Sequence, residues 1–212
     1  MNDAERGRRS TPNVGVLISG RGSNLQALID AAAGGGLGGT LAVVISNVGS
    51  AAGLQRARAA GIPAHFIDHA GRSRDVHDRE MLAVLRAHDV SLVCLAGYMR
   101  LLSAEFIRAF PGRILNVHPS LLPAFPGLEA ARQAWEHGVQ VTGATVYFVD
   151  LGLDSGPIVL QEAVAVAHDD RPETLAARIL EAEHRIYPRA VRMVLEGAVR
   201  IEGRRVRRGP PA

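Results

Sequence analysis

The chain has 212 residues, 47% of them hydrophobic and 21% charged, with a formal net charge of +3 and 23 glycines. This composition predicts a folded, soluble domain with one sizeable core. A single cysteine, Cys94, excludes an internal disulfide framework and a thiolate metal cluster.

The positive charge is uneven. Arg6, Arg8 and Arg9 lie near the start, and Arg200, Arg204, Arg205, Arg207 and Arg208 near the end. Residues 1–12 and 199–212 are expected to be basic, flexible tails around a single domain at 13–198. Without them the body is near neutral, so no basic face for nucleic acid is expected. The early arginines lead into no apolar segment, which argues against a secretory signal. No apolar run reaches the ~18 residues of a membrane span. The expected location is the cytoplasm.

In chain order, Asn13–Ile18 reads as a strand, and Ser19-Gly20-Arg21-Gly22-Ser23-Asn24 follows directly. Leu25, Leu28, Ile29 and Ala32 mark a helix that stops at the glycines near Gly34. The glycine loop between them has two readings. Backbone N–H groups at the helix start can hold a phosphate; alternatively the segment is a tight turn with an N-cap. It lacks the third glycine of a dinucleotide fingerprint and the lysine of a phosphate loop.

Thr40–Ser46 is the next strand, Ala51–Ala60 a helix, and Ala64–Ile67 a short strand. A helix carrying Met81, Leu82 and Leu85 precedes the apolar strand Val90–Leu95, where Cys94 reads as core. After the loop Gly97–Arg100 come a short helix at Ala104–Phe110 and the strand Arg113–His118. Asn116 and His118 are two apart in that strand, so they project from one face. An asparagine amide and an imidazole can donate to a developing oxyanion or relay a proton. A histidine satisfied locally at a loop start is the competing reading. Pro119 stops the strand.

Leu128–His137 reads as helical and Val141–Val149 as a long strand. The turn Leu151–Gly156 contains Asp154, which spacing alone reads as an ordinary turn aspartate. Pro157–Val166 is a strand expected to run antiparallel to its neighbour. A long helix follows Asp170, read as its cap with Glu173 three residues on. The remaining histidines, His65, His69, His77, His88, His137, His168 and His184, make no strong zinc spacing, so no metal is expected. Alternating strands and helices predict an α/β fold: a three-layer, mainly parallel twisted sheet, Rossmann-like, with antiparallel strands near the C-terminal part. Sites in such sheets lie at the carboxyl ends of strands.

Three segments carry a resemblance to the phosphoribosylglycinamide formyltransferase family. They are Ile18-Ser19-Gly20-Arg21-Gly22-Ser23-Asn24-Leu25-Gln26, Asn116-Val117-His118-Pro119-Ser120-Leu121-Leu122-Pro123 with Phe125-Pro126-Gly127, and Leu153-Asp154-Ser155-Gly156-Pro157-Ile158. Glu183-His184-Arg185-Ile186-Tyr187-Pro188 narrows it to this family or the formyltetrahydrofolate hydrolases. The resemblance implies a catalytic trio of Asn116, His118 and Asp154. It implies a ribonucleotide site at Gly20, Arg21, Gly22, Ser23, Asn24 and Glu183. It also implies a folate site at Arg74, Met99, Arg100, Leu101 and Leu102, with Val149, Asp150, Leu151, Gly152 and Leu153.

The implied reaction takes the formyl group of 10-formyltetrahydrofolate, the co-substrate, to the amine of 5'-phosphoribosylglycinamide without a covalent enzyme intermediate or a metal. Asn116 and a charged His118 would donate to the oxyanion, and an adjacent carboxylate favours the imidazolium form. Small molecules are the expected partners, with no nucleic acid and no membrane, in a monomer or homodimer. Tyr147 departs from the family pattern, where histidine is frequent, and Ala124 stands where some relatives have lysine or serine. Hydrolysis of the formyl-folate is the nearest alternative, and a non-catalytic nucleotide-binding protein a more distant one. A dinucleotide dehydrogenase is disfavoured by the weak glycine fingerprint.

Overall fold

Short apolar runs punctuated by glycine and polar segments become strands and helices close to the expected ones in the computed structural model, which describes residues 11–209. The strands are β1 (Asn13–Ile18), β2 (Thr40–Ser46), β3 (Ala64–Phe66), β4 (Val90–Leu95), β5 (Ile114–His118), β6 (Val141–Phe148), β7 (Ile158–Ala165), β8 (Val199–Glu202) and β9 (Arg205–Arg208). The helices are α1 (Ser23–Ala33), α2 (Ala52–Ala59), α3 (Arg74–Ala87), α4 (Ala104–Ala109), α5 (Ala130–Glu136) and α6 (Pro172–Leu195). Among the described residues, no helix is long and apolar enough to cross a membrane.

Seven strands form one sheet in the order β3-β2-β1-β4-β5-β6-β7. The first five in that order pair parallel. β6 is antiparallel to β5, and β7 to β6. The expected mainly parallel sheet with antiparallel strands toward the C-terminal part is therefore the one formed. β1 and β4 read as continuous apolar runs because both faces are covered. Val14, Val16 and Ile18 meet Leu25 and Leu28 of α1 and Leu175, Ile179 and Ile186 of α6 on one side. Leu17, Val43 and Ile45 meet Met81, Leu82 and Leu85 of α3 and Phe106 of α4 on the other. Cys94 lies fully buried in β4, a core residue as expected.

α6 is fastened to the sheet centre by a polar bond as well as by packing. The Tyr187 hydroxyl lies 2.9 Å from the Leu95 carbonyl and 3.2 Å from that of Leu115. Pro188 sits within α6 without ending it. The cap differs from expectation: Arg171, not Asp170, is the N-cap, and its N–H bonds the Thr174 hydroxyl at 2.9 Å. Asp170 instead accepts the Ala167 N–H at 2.7 Å and pairs with Arg178, tying the preceding turn to the helix.

The C-terminal end also requires correction. Residues 199–208, expected within a flexible tail, form the antiparallel hairpin β8–β9. Gly203, at φ 60, supplies the left-handed turn. Val199 and Val206 pack on the main core, and Glu202 pairs with Arg200 and Arg207. Residues 1–10 of the expected tail at 1–12, and residues 210–212, lie outside the described residues.

One consequence of this topology sets the position of the polar residues. In β5, Leu115 and Val117 point into the core under α6. Asn116 and His118 therefore project from the opposite face. α3 and α4 reach only as far as Ile114 there. Beyond it the sheet is covered by two loops, 119–128 and 149–157.

Gly143 in β6 shows how tightly that region is packed. A Cβ added there would meet the Glu162 carbonyl oxygen at 2.1 Å and Leu121 Cδ2 at 2.8 Å. Gly143→Ala is expected to destabilise the fold by about 1–3 kcal/mol. The measurement is a lower urea midpoint with an unchanged slope.

Candidate active site

The strand register places Asn116 opposite Tyr147 and His118 opposite Thr145. The Asn116 amide nitrogen donates to the Tyr147 hydroxyl at 2.8 Å. That hydroxyl donates to Asp154 Oδ1 at 2.7 Å. The other carboxylate oxygen, Oδ2, accepts the Gly127 N–H at 2.7 Å and lies 3.4 Å from His118 Nδ1. On its far side, His118 Nε2 lies 2.8 Å from the Phe125 carbonyl. The trio implied by resemblance is thus brought together, with Tyr147 as the unforeseen fourth member. Burial pushes the Tyr147 phenol above its usual range; the bond from Asn116 opposes this and the Asp154 carboxylate reinforces it. The hydroxyl therefore keeps its proton and remains a donor.

The 149–157 loop is held largely by its own side chains, and the 119–128 loop by side chains of β6 and β7. Asp154 sits at φ 49, in the left-handed region, which turns its carboxylate back over β6. Asp150 Oδ1 accepts the Gly152 N–H at 3.0 Å and the Ser155 hydroxyl at 2.8 Å. Arg204, from the hairpin, donates to the Ser155 carbonyl at 3.0 Å. On the 119–128 loop, the Thr145 hydroxyl donates to the Ser120 carbonyl at 2.6 Å and accepts the Leu122 N–H at 3.0 Å. Gln161 donates to the Leu122 carbonyl at 2.9 Å.

β1, β4 and β5 are parallel neighbours, so the loops that follow them open at one edge of the sheet. In the first of these loops, Gly22 at φ 73 is the N-cap of α1, and no side chain caps the helix. First-turn N–H groups are thereby left for an anion. A Cβ on Gly22 would meet Gly53 Cα at 2.7 Å, so the loop packs directly on α2. From α2, Arg56 donates to the Arg21 carbonyl at 2.9 Å, bringing a cation to this loop. Asn24 donates to Glu183 Oε2 of α6 at 2.7 Å, while its own amide oxygen is buried without a partner. Two of the expected ribonucleotide residues, from opposite ends of the chain, are therefore in contact.

The second loop is pinned at both ends by side chains that the sequence did not single out. Met99 N–H donates to the Ser19 hydroxyl at 2.9 Å, and Ser19 in turn donates to Asn47 at 2.6 Å. Ser103 N–H donates to the buried Asp78 carboxylate at 2.6 Å. Between these anchors Leu102 is buried, while Met99 and Leu101 are exposed. Leu128, Leu151 and Leu153 are exposed on the neighbouring loops. Arg74 opens α3 and is exposed. Arg100 has a buried Nε without a partner. Val149 packs on the α3–α4 core, where the 149–157 loop leaves β6. Among the described residues, no group of three or more His, Cys, Asp or Glu side chains converges as a metal site would require.

The formyl transferase family matches residues 12–191. The chain is 50% identical over 191 residues to the trifunctional purine biosynthetic protein adenosine-3 of Drosophila melanogaster, covering 89% of this chain and 14% of that protein. It thus spans a small part of those long relatives. It is 45% identical over 190 residues to the phosphoribosylglycinamide formyltransferase of Escherichia coli, covering 89% of this chain and 90% of that one. The crystal structure of glycinamide ribonucleotide transformylase 1 from Symbiobacterium toebii is 55% identical. It superposes with a TM-score of 0.93 over 95% of each chain.

Glu183 is the site's clearest titrating group. Burial pushes its carboxyl up to about 7, against the lowering effect of the Asn24 bond. The folded state then binds more protons than the unfolded state between about 4.5 and 7, so stability falls as pH rises through that window. Glu183→Gln cannot ionise, and its stability relative to the parent is expected to be greater at pH 8 than at pH 4. Urea unfolding at both pH values measures the difference; an equal difference at both would contradict the shift.

Proposed function

The chain belongs to the formyl transferase family, and on that premise we propose that it transfers the formyl group of 10-formyltetrahydrofolate directly to the amine of 5'-phosphoribosylglycinamide. The products are formylglycinamide ribonucleotide and tetrahydrofolate. The observation that carries this reading is the continuous arc Asn116–Tyr147–Asp154–His118, set beside an uncapped helix start and a rim of exposed apolar side chains. The names of the similar proteins agree with it.

The chemistry follows from the donors available. The amine lone pair bonds to the formyl carbon, and the carbonyl electrons move onto oxygen. Asn116 uses one N–H on Tyr147 and keeps the other for that oxygen. His118 supplies a second donor once the substrate oxygen competes with the Phe125 carbonyl. Each such donor contributes roughly 10²–10³ in rate. Collapse breaks the bond between the formyl carbon and the folate nitrogen. That nitrogen gains the proton which the amine loses. Asp154 orients His118 and serves as acceptor for the proton in transit, directly or through one water.

Binding uses the remaining expected residues. The N–H groups at Gly22, Ser23 and Asn24 face the ribonucleotide phosphate, with Gly20 and Arg21 shaping the loop. Glu183, joined to Asn24, takes a ribose hydroxyl. The pterin lies against Met99, Arg100, Leu101 and Leu102. Val149, Asp150, Leu151, Gly152 and Leu153 close over it, and Arg74 faces the folate carboxylates. Covering Met99, Leu101, Leu151 and Leu153 with a flat ring would remove apolar surface from water. We place this activity in the cytoplasm, on small molecules alone, in a monomer or homodimer.

Mixing the protein with 10-formyltetrahydrofolate should release tetrahydrofolate only when the ribonucleotide is present. Release at the same rate without it would sink the transferase reading in favour of hydrolysis. His118→Ala should lower kcat by about 10³-fold or more while leaving ribonucleotide binding within about threefold. Full turnover by that variant would remove His118 from the mechanism.

A further inference from the structure

Tyr147 neither moves a proton nor touches the reacting atoms in the steps above, yet both carboxamide and carboxylate meet at its single oxygen. The ring is 3% exposed and springs from β6 directly opposite Asn116, so the ladder fixes where it stands. An ionised carboxylate offers only acceptors, so the hydroxyl must direct its one proton to Asp154 Oδ1, 2.7 Å away. Its lone pairs then face Asn116, and the atom 2.8 Å off has to be the amide nitrogen. An amide turned over would set acceptor against acceptor. The order of bonds therefore runs one way, from Asn116 through Tyr147 to Asp154.

We propose that Tyr147 is a positioning residue that orients the Asn116 amide and the Asp154 carboxylate together, through one hydroxyl. By engaging one N–H of Asn116, it sets the direction of the other. By engaging Oδ1, it leaves Oδ2 to the Gly127 N–H and His118. What the oriented groups then do rests on the proposed formyl transfer; the orientation itself does not. The arrangement matters for rate because an oxyanion donor acts only from the correct direction.

Tyr147→Phe removes the oxygen and keeps the ring. With side-chain amides labelled by 15N, the Asn116 NH2 signals are expected to shift and to exchange faster with water in the variant. Unchanged signals overturn the proposal whether or not the protein transfers formyl groups; failure of the parent to transfer formyl overturns the functional reading instead. In the transfer assay, kcat falls about tenfold to a hundredfold while KM for each substrate stays within about twofold. A rise in KM with kcat unchanged overturns the proposal.

A cycle with Asp154→Asn gives a readout that loss of general packing would not move. The loss in the double variant is expected to fall clearly short of the sum of the two single losses, and additive losses overturn the proposal. Tyr147→His puts a shorter side chain with one donor and one acceptor nitrogen at the same strand position and serves if the phenylalanine variant folds poorly. It retains the slow Asn116 exchange and a kcat above that of Tyr147→Phe; loss of both overturns the proposal.

Discussion

The arrangement of the site depends on one buried carboxylate. Asp154 is held in a left-handed turn with its side chain almost out of water, where an unpaired charge is costly. Its oxygens are met by a backbone N–H from the 119–128 loop, a phenol from β6 and an imidazole from β5. Each partner comes from a separate stretch of chain, so the two loops and two strands are mutually dependent. Removing one partner leaves the others facing a charge that is both buried and under-satisfied. That coupling places Asn116, His118 and Asp154 in fixed relation although no regular element contains all three.

The sheet explains why such a carboxylate has a place to go. Through β1 and β4 both faces are closed by helices, and the apolar side chains there are committed to a core. At β5 the strand direction reverses relative to its next neighbour, and α6 continues to cover one face. The other face passes to loops. Polar groups can then be set on rigid strands while their covers remain adjustable, which suits a cleft that must admit two substrates. Tyr187 contributes by holding α6 to the carbonyls of β4 and β5, immediately behind this opening.

Much of this was legible in the sequence because the physical signals were local. Continuous apolar runs bounded by glycine gave the parallel strands, and period two put Asn116 and His118 on one face. Asp154 was not legible from spacing: its link to His118 is made by a turn at positive φ, and only family resemblance suggested it. Tyr147 stands out in the sequence only as a departure from the family pattern, since nothing local reveals that its hydroxyl joins an amide on β5 to a carboxylate on the 149–157 loop. The hairpin at 199–208 was hidden by its arginines. Val199, Ile201 and Val206 around Gly203 were the signal, outweighed by a run of charge that reads as a tail. Asp170 has the sequence spacing of a cap, while the backbone gives that position to Arg171 and turns the carboxylate toward Ala167 and Arg178.

The lone cysteine has a use that its inertness creates. Cys94 lies in β4 between β1 and β5, fully enclosed, and burial pushes its thiol up to about 12 against the lowering effect of Tyr187. Reaction with a disulfide or an alkylating reagent needs an accessible thiolate. Neither condition is met until the centre of the sheet parts. The chain therefore carries a built-in, single-site clock for opening of its core, one that counts molecules whose sheet has come apart and ignores the loops that move around the cleft.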